Sequence, residues 1–87
     1  MEENDSCIVY TLENCPNCEI LKEELNRNNI SYHEYDMASI ENITELRMNG
    51  IFVREAPVLQ SGTKFYTSKD LFFNGMVKEE IIKTFKG

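Results

Sequence analysis

Residues 7–18 read CIVYTLENCPNC, and this stretch decides the fold of the chain. Residues 7–12 form a short run of apolar and β-forming residues, which is typical of a buried strand. Pro16 fits the first turn of a helix, because a proline lacks the N–H group that would have no partner there. Cys15 and Cys18 therefore lie where a strand passes into a helix.

The rest of the chain alternates strand patterns with amphipathic helix patterns. A strand, a helix and a second strand predict a parallel pair with a right-handed crossover, and a tight turn at Ser61-Gly62 predicts an antiparallel hairpin. The economical solution is an α/β fold in the order β-α-β-α-β-β-α, a four-stranded mixed sheet with three helices packed on it. The predicted helices cover residues 16–29, 39–49 and 74–87, and the predicted strands cover residues 7–12, 30–36, 58–60 and 64–66.

Length and charge limit the class of protein. A chain of 87 residues has room for one domain, residues 1–87. The formal net charge of −6 argues against nucleic acid and anionic membranes as partners, because phosphate groups are bound by basic faces. No signal-peptide pattern is visible at the amino end, and no apolar run reaches the roughly 18 residues of a membrane span. We therefore expect a monomeric cytoplasmic protein.

The position of Cys15 favours redox chemistry. The first N–H groups of a helix are unpaired and carry partial positive charge, so we expect the pKa of Cys15 to fall below the free value of about 8.5. Cys18 lies one turn deeper, where its sulfur returns towards Cys15. We predict that Cys15 is the nucleophile that attacks a substrate disulfide and that Cys18 is the resolving thiol that releases the product. Pro16 and Asn17, which separate the two cysteines, help to set how readily their disulfide is reduced.

Other uses of the cysteines remain open. Three cysteines are an odd number, and structural disulfides are rare in the cytoplasm, so a disulfide framework is disfavoured. A zinc site needs four ligands, and beyond the pair the chain offers Cys7 and His33, which we interpret as a small buried residue and a half-exposed strand residue. A disulfide-linked dimer through Cys7 is a minor alternative. A metal-binding module, with zinc, copper or an iron–sulfur cluster held by CPNC, is a second hypothesis, and a bridged cluster would need two chains. A binding adaptor is a third hypothesis, in which at least one of the adjacent aromatics Phe72 and Phe73 faces water, although packing under the last helix is the favoured interpretation of both.

Three sequence features together resemble a known family. They are the strand IVYTL, the motif CPNC at a helix start, and Ala56-Pro57-Val58 ahead of a hairpin strand. This pattern is similar to the dithiol glutaredoxins of the thioredoxin-like superfamily, and the resemblance covers nearly the whole chain. It implies a thioredoxin-like fold and a cis bond between Ala56 and Pro57. It also implies that the backbone of Ala56 pairs with a disulfide-containing protein substrate like an added strand.

The resemblance also implies an external reductant, with no bound cofactor and no metal. Many glutathione-using members carry a lysine three residues before the first cysteine, where this chain has Leu12. The nearest charges are Glu13 and Glu19, which do not attract an anionic tripeptide. We therefore expect thioredoxin reductase with NADPH to recharge the protein at least as well as glutathione. Some family members that take electrons from this reductase pass them to ribonucleotide reductase, which is an alternative partner.

The second departure from the family lies in residues 66–70, YTSKD. The family has a glycine pair followed by a hydroxyl–Asp pair that holds glutathione. Here the glycines are missing and Lys69 interrupts the second pair. Lys69 could still bind a substrate carboxylate, and Asp70 could receive an amine or cap the next turn.

Overall fold

The chain folds around one central sheet. The computed structural model describes residues 7–86. The strands are β1 (Cys7–Thr11), β2 (His33–Asp36), β3 (Val58–Ser61) and β4 (Lys64–Tyr66), and their spatial order is β2-β1-β3-β4. β1 runs parallel to β2 and antiparallel to β3, and β3 pairs antiparallel with β4. The predicted four-stranded mixed sheet is therefore confirmed.

Helices cover both faces of the sheet. They are α1 (Pro16–Arg27), α2 (Ile40–Met48), α3 (Ser68–Leu71) and α4 (Glu79–Lys86), and within residues 7–86 none is long and apolar enough to cross a membrane. Successive residues of a strand point to opposite faces. One core cluster joins Val9 to Leu21 of α1 and Ile81 of α4, and the other joins Tyr10 to Leu46 of α2. α1 and α4 therefore pack on one face, and α2 packs on the other.

The boundaries predicted between residues 68 and 77 were wrong. This segment contains α3, a short helix that was not predicted, and then a hairpin of β5 (Phe72–Phe73) and β6 (Met76–Val77). Apolar spacing had instead predicted a helix from Asn74 onward. Asn74 and Gly75 have φ angles of 55° and 79°, as in a two-residue type I′ turn. Because that turn joins two strands, Val77 pairs with Phe72 and the last helix begins later than its apolar stripe suggested.

Strand β2 is shorter than predicted, because the turn after α1 extends further. Asn29 has a φ angle of 60°, and the N–H of Ile30 donates to the carbonyl oxygen of Leu25 at 2.9 Å. The strand then begins at His33 instead of Ile30. All four residues of β2 are exposed, which is consistent with its place at one edge of the sheet.

Replacing Leu21 by alanine should destabilise the protein by about 3 kcal/mol, because the change removes a fully buried side chain and leaves a cavity. Leu21 is 0% exposed and packs between α1 and the sheet. Urea denaturation of both proteins measures the loss. The matched control is Ile20→Ala on the same helix, at a side chain that is 36% exposed, with an expected cost below about 1 kcal/mol. Equal urea midpoints for the two variants would contradict this assignment of the core.

Candidate active site

The Cys15–Cys18 pair lies at the carboxyl end of β1, where the chain turns into α1. The two cysteines form a disulfide, and their Cα atoms are 5.2 Å apart. Just before them, Asn14 has a φ angle of 56°, a left-handed conformation that asparagine adopts more readily than most residues. Pro16 is the first residue of α1, as expected. The strand pattern and Pro16 predict this junction, whereas the part played by Asn14 in the turn was not predicted.

Cys15 caps the amino end of α1. Its backbone is extended, with φ −114° and ψ 99°, and its Sγ accepts a hydrogen bond from the Cys18 N–H at 3.1 Å. Its carbonyl oxygen accepts hydrogen bonds from the N–H groups of Cys18 and Glu19 at 3.1 and 3.3 Å. The amino end of a helix carries partial positive charge and stabilises a thiolate placed against it. The Sγ of Cys15 therefore lies where a negative charge on sulfur is favoured.

The two cysteines differ in accessibility. Cys15 is partly exposed, whereas Cys18 is only 1% exposed. Pro16 and Asn17, which separate them, are both exposed. An incoming disulfide can therefore approach Cys15 from solvent, while Cys18 is shielded behind it. This arrangement suits an exchange reaction that starts at the outer sulfur and finishes with the inner one.

The loop before β3 packs against the exposed cysteine. The Ala56–Pro57 peptide bond is cis, as the resemblance implies, and Pro57 is fully buried. The carbonyl oxygen of Ala56 lies 3.7 Å from the Sγ of Cys15, although the two residues are 41 positions apart in the sequence. The hydroxyl of Ser68 donates to the carbonyl oxygen of Pro57 at 3.2 Å, which ties α3 to the same loop. The fold thus brings the dithiol motif and the Ala56-Pro57 pair together.

Carboxylates line one side of the turn between β1 and α1. We call this set the acidic flank: Glu13, Glu19, Glu34 and Asp36. Glu13 and Glu19 are close to Cys15 in the sequence as well. The other two come from β2, which the parallel pairing places beside β1, with Asp36 opposite Thr11. In the chain, 14 residues separate Glu19 from Glu34, and the parallel pairing of β1 with β2 brings the two pairs of carboxylates together.

One lysine partly neutralises the acidic flank. The Nζ of Lys22 lies 3.0 Å from Glu19 Oε2 and 3.1 Å from Glu34 Oε2, and its side chain is 18% exposed. The hydroxyl of Thr11 also donates to Glu34 Oε2, at 3.0 Å. The hydrogen bonds from Lys22 and Thr11 hold the pKa of Glu34 below its usual value, while those to Glu19 and Glu34 raise the pKa of Lys22. Glu34 therefore stays negatively charged at neutral pH.

Asp70 belongs to a capping box. Its carboxylate accepts hydrogen bonds from the N–H of Thr67 at 3.0 Å and from the Thr67 hydroxyl at 3.2 Å, which caps the amino end of α3. Of the two roles expected for Asp70, this is the capping role. Lys69 is exposed in the same turn of helix. These contacts engage the Asp70 side chain within its own helix.

Cys7 and His33 lie away from the dithiol pair. Cys7 begins β1, four residues before Thr11, which corresponds to about 13 Å along a strand. It is 2% exposed, and burial raises the pKa of its thiol to about 11, in agreement with the predicted role as a small core residue. His33 is exposed at the start of β2. Among the described residues, no three His, Cys, Asp or Glu side chains are grouped so that they could hold a metal ion.

A four-stranded thioredoxin-like sheet with a dithiol pair at the start of its first helix defines a class, the thiol–disulfide oxidoreductases. Residues 7–65 match the glutaredoxin family model. The chain therefore belongs to the glutaredoxin family and is an enzyme of that class. Its fold is similar to that of the thioredoxin-like protein BC3987, crystallised as a mutant, with a TM-score of 0.68 and 21% identity over 99% of this chain and 96% of that one. No curated protein sequence matches the chain significantly.

Proposed function

We propose that the enzyme reduces disulfides in proteins through a two-step cycle of Cys15 and Cys18. The Cys15 thiolate attacks one sulfur of the substrate disulfide, forms a mixed disulfide and expels the other sulfur as a thiolate, which takes up a proton. Cys18 then loses its proton, attacks Cys15 Sγ and expels the second substrate thiol. The substrate gains two electrons and two protons, and the enzyme is left with the Cys15–Cys18 disulfide.

The observation that carries this proposal is the hydrogen bond from the Cys18 N–H to the Sγ of Cys15 at the helix tip. This bond and the helix dipole favour the charged form of the sulfur that solvent can reach. The carbonyl oxygen of Ala56 lies close to the same sulfur, so a substrate strand that pairs with the Ala56 backbone would hold its disulfide against Cys15.

We further propose that thioredoxin reductase with NADPH reduces the oxidised enzyme at least as fast as glutathione does. Leu12 offers no positive charge to the tripeptide, and the acidic flank opposes its net negative charge. The Asp70 carboxylate, a candidate partner for the glutathione amine, is engaged with Thr67. Ribonucleotide reductase is then a natural recipient of the electrons, as in the glutaredoxins that share this mode of reduction, and a cytoplasmic location fits this chemistry.

The experiment compares the rates at which the oxidised enzyme is reduced by glutathione and by thioredoxin reductase with NADPH. We expect the reductase to be at least as fast, and Leu12→Lys to raise the glutathione rate by about two- to fivefold, the range of one exposed charge pair. Leu12→Gln is the control for lost apolar contact without added charge. Much faster reduction of the unmodified enzyme by glutathione would reject the proposed reductant and leave the dithiol cycle standing.

A further inference from the structure

An apolar groove adjoins the acidic flank at Leu12, which lines both surfaces. It lies between α2 and residues 51–54 and has a volume of about 540 Å³. We call it the α2 groove, and its lining includes Leu12, Ile43, Ile51, Phe52, Arg47 and Arg54. Phe52 is 74% exposed, and its neighbour Val53 is 38% exposed. A cleft lined by exposed apolar side chains is typical of a surface that binds another molecule.

Two residues that line the α2 groove, Leu12 and Arg54, lie close to the reactive sulfur along the chain. Leu12 precedes Cys15 by three residues, so their Cα atoms are at most about 11 Å apart. Arg54 precedes Ala56 by two residues, a span of at most about 7 Å, and the Ala56 carbonyl oxygen lies 3.7 Å from Cys15 Sγ. A polypeptide attached to that sulfur would reach the groove within two or three extended residues.

The charges at the groove indicate what it binds. Arg47 and Arg54 line it, and none of the described lining residues is acidic, although the chain as a whole carries a net charge of −6. The acidic flank adjoins the groove at Leu12, which lines both surfaces, and at Asp36, which accepts a hydrogen bond from the backbone N–H of the lining residue Ala38 at 2.9 Å. A ligand in the α2 groove therefore meets apolar side chains and positive charge, which together complement an apolar residue beside a carboxylate.

We propose that the α2 groove binds a segment of the protein substrate that flanks its disulfide and carries a bulky apolar residue next to an acidic one. This inference rests on the proposed oxidoreductase cycle and adds the substrate class that the enzyme prefers. The apolar side chain enters the groove beside Phe52, and the carboxylate faces Arg47 and Arg54. The acidic flank repels a carboxylate that is displaced towards it, so the two surfaces orient the substrate.

The test compares disulfide-linked dimers of three matched peptides as substrates of the reduced enzyme. Next to the cysteine they carry Phe-Glu, Phe-Lys or Ser-Glu, and each is made with this pair before and after the cysteine. We expect the second-order rate constant for the better Phe-Glu peptide to exceed those of the other two by about tenfold, from burial of the ring and one charge pair. Equal rate constants for all three peptides would overturn the proposal.

Charge reversal assigns the preference to the groove. Arg47→Glu should invert the preference between the Phe-Glu and Phe-Lys peptides, and Arg54→Glu, which lies outside any helix, should act in the same direction. Phe52→Ser should lower the Phe-Glu rate towards the Ser-Glu rate. The matched control is Lys64→Glu, the same charge change at an exposed residue of β4 that is not part of the groove lining. An effect of Lys64→Glu as large as that of Arg47→Glu would overturn the proposal.

A small disulfide separates failure of this inference from failure of the cycle. Hydroxyethyl disulfide cannot fill the groove, so the rate constant of the Phe-Glu peptide relative to that of hydroxyethyl disulfide should fall in Arg47→Glu, Arg54→Glu and Phe52→Ser. An equal loss with both substrates in these variants would show a general effect on the enzyme and overturn the docking proposal. No reduction of hydroxyethyl disulfide by the unmodified enzyme would reject the cycle itself. A dimer that sediments as such and dissociates in Phe52→Ser would assign the groove to a second copy of this chain, against the proposal.

Discussion

Cys15→Ser will reduce the turnover of any disulfide substrate by a factor on the order of 10³ or more, because it removes the nucleophile that starts the exchange. A serine hydroxyl at the same helix tip remains protonated at neutral pH, so the stabilising N–H groups have no charge to favour. Cys15 is also the only member of the pair that is open to solvent, since Cys18 is 1% exposed. The measurement is the rate of hydroxyethyl disulfide reduction at a saturating concentration of reductant.

Two further cysteine variants separate the role of the nucleophile from those of the other two thiols. Cys18→Ser should still attack the substrate through Cys15 but should accumulate the mixed disulfide, which intact-mass spectrometry detects, because no resolving thiol is present. Cys7→Ala should retain full activity and lose about 1 kcal/mol of stability, as a small deletion in the core. Turnover by Cys15→Ser at the rate of the unmodified enzyme would refute the assignment of Cys15 as the nucleophile.

Alkylation of the reduced enzyme by iodoacetamide will modify Cys15 at pH 7 at least about 10³ times faster than Cys7. The pKa of Cys7 is about 11, so only about one Cys7 thiol in 10⁴ is ionised at pH 7. The Cys15 thiolate is favoured by the amino end of α1 and meets the reagent from solvent. Because ionisation of Cys7 increases with pH, its rate should rise about tenfold per pH unit up to about pH 11. Peptide mapping by mass spectrometry follows each site.

Unfolding provides the control for this reactivity difference. In concentrated urea the burial that raises the pKa of Cys7 is lost, and so is the helix tip at Cys15, so the three cysteines should react at similar rates. Cys18 should also react slowly in the folded enzyme, because its side chain is almost fully buried and the reagent cannot reach it. Equal rates for all three cysteines in the folded state would remove the physical basis of the proposed cycle.

Local chemistry explains which parts of the fold the sequence could predict. The apolar run of β1 and the proline at the start of α1 act over a few neighbouring residues, so the junction that holds Cys15 and Cys18 was recognisable from twelve letters. The parallel and antiparallel pairings followed because connection lengths and handedness allow few alternatives. The cis bond before Pro57 was implied by resemblance alone, since composition gives no reason to expect one.

The main error in the fold came from two local signals that compete. Residues 74–87 carry a helical apolar stripe, and they also begin with Asn-Gly, a strong hairpin signal. In the structure the Asn74-Gly75 turn joins β5 to β6, and Leu71 at the end of α3 is fully buried in the core. Burial of that leucine depends on how the segment packs on α1 and the sheet, and sequence periodicity does not contain that information.

The sequence by itself determined the chemistry of this enzyme: a dithiol at the start of a helix, one sulfur placed to be charged and the other one turn deeper. Only the tertiary structure decided the surroundings of that dithiol. It placed the Ala56 carbonyl beside Cys15, brought Glu34 and Asp36 alongside Thr11, and formed the α2 groove between α2 and residues 51–54. The reason is physical. A helix end acts on its nearest residues, whereas contacts between distant segments exist only after sheet pairing and core packing have formed them.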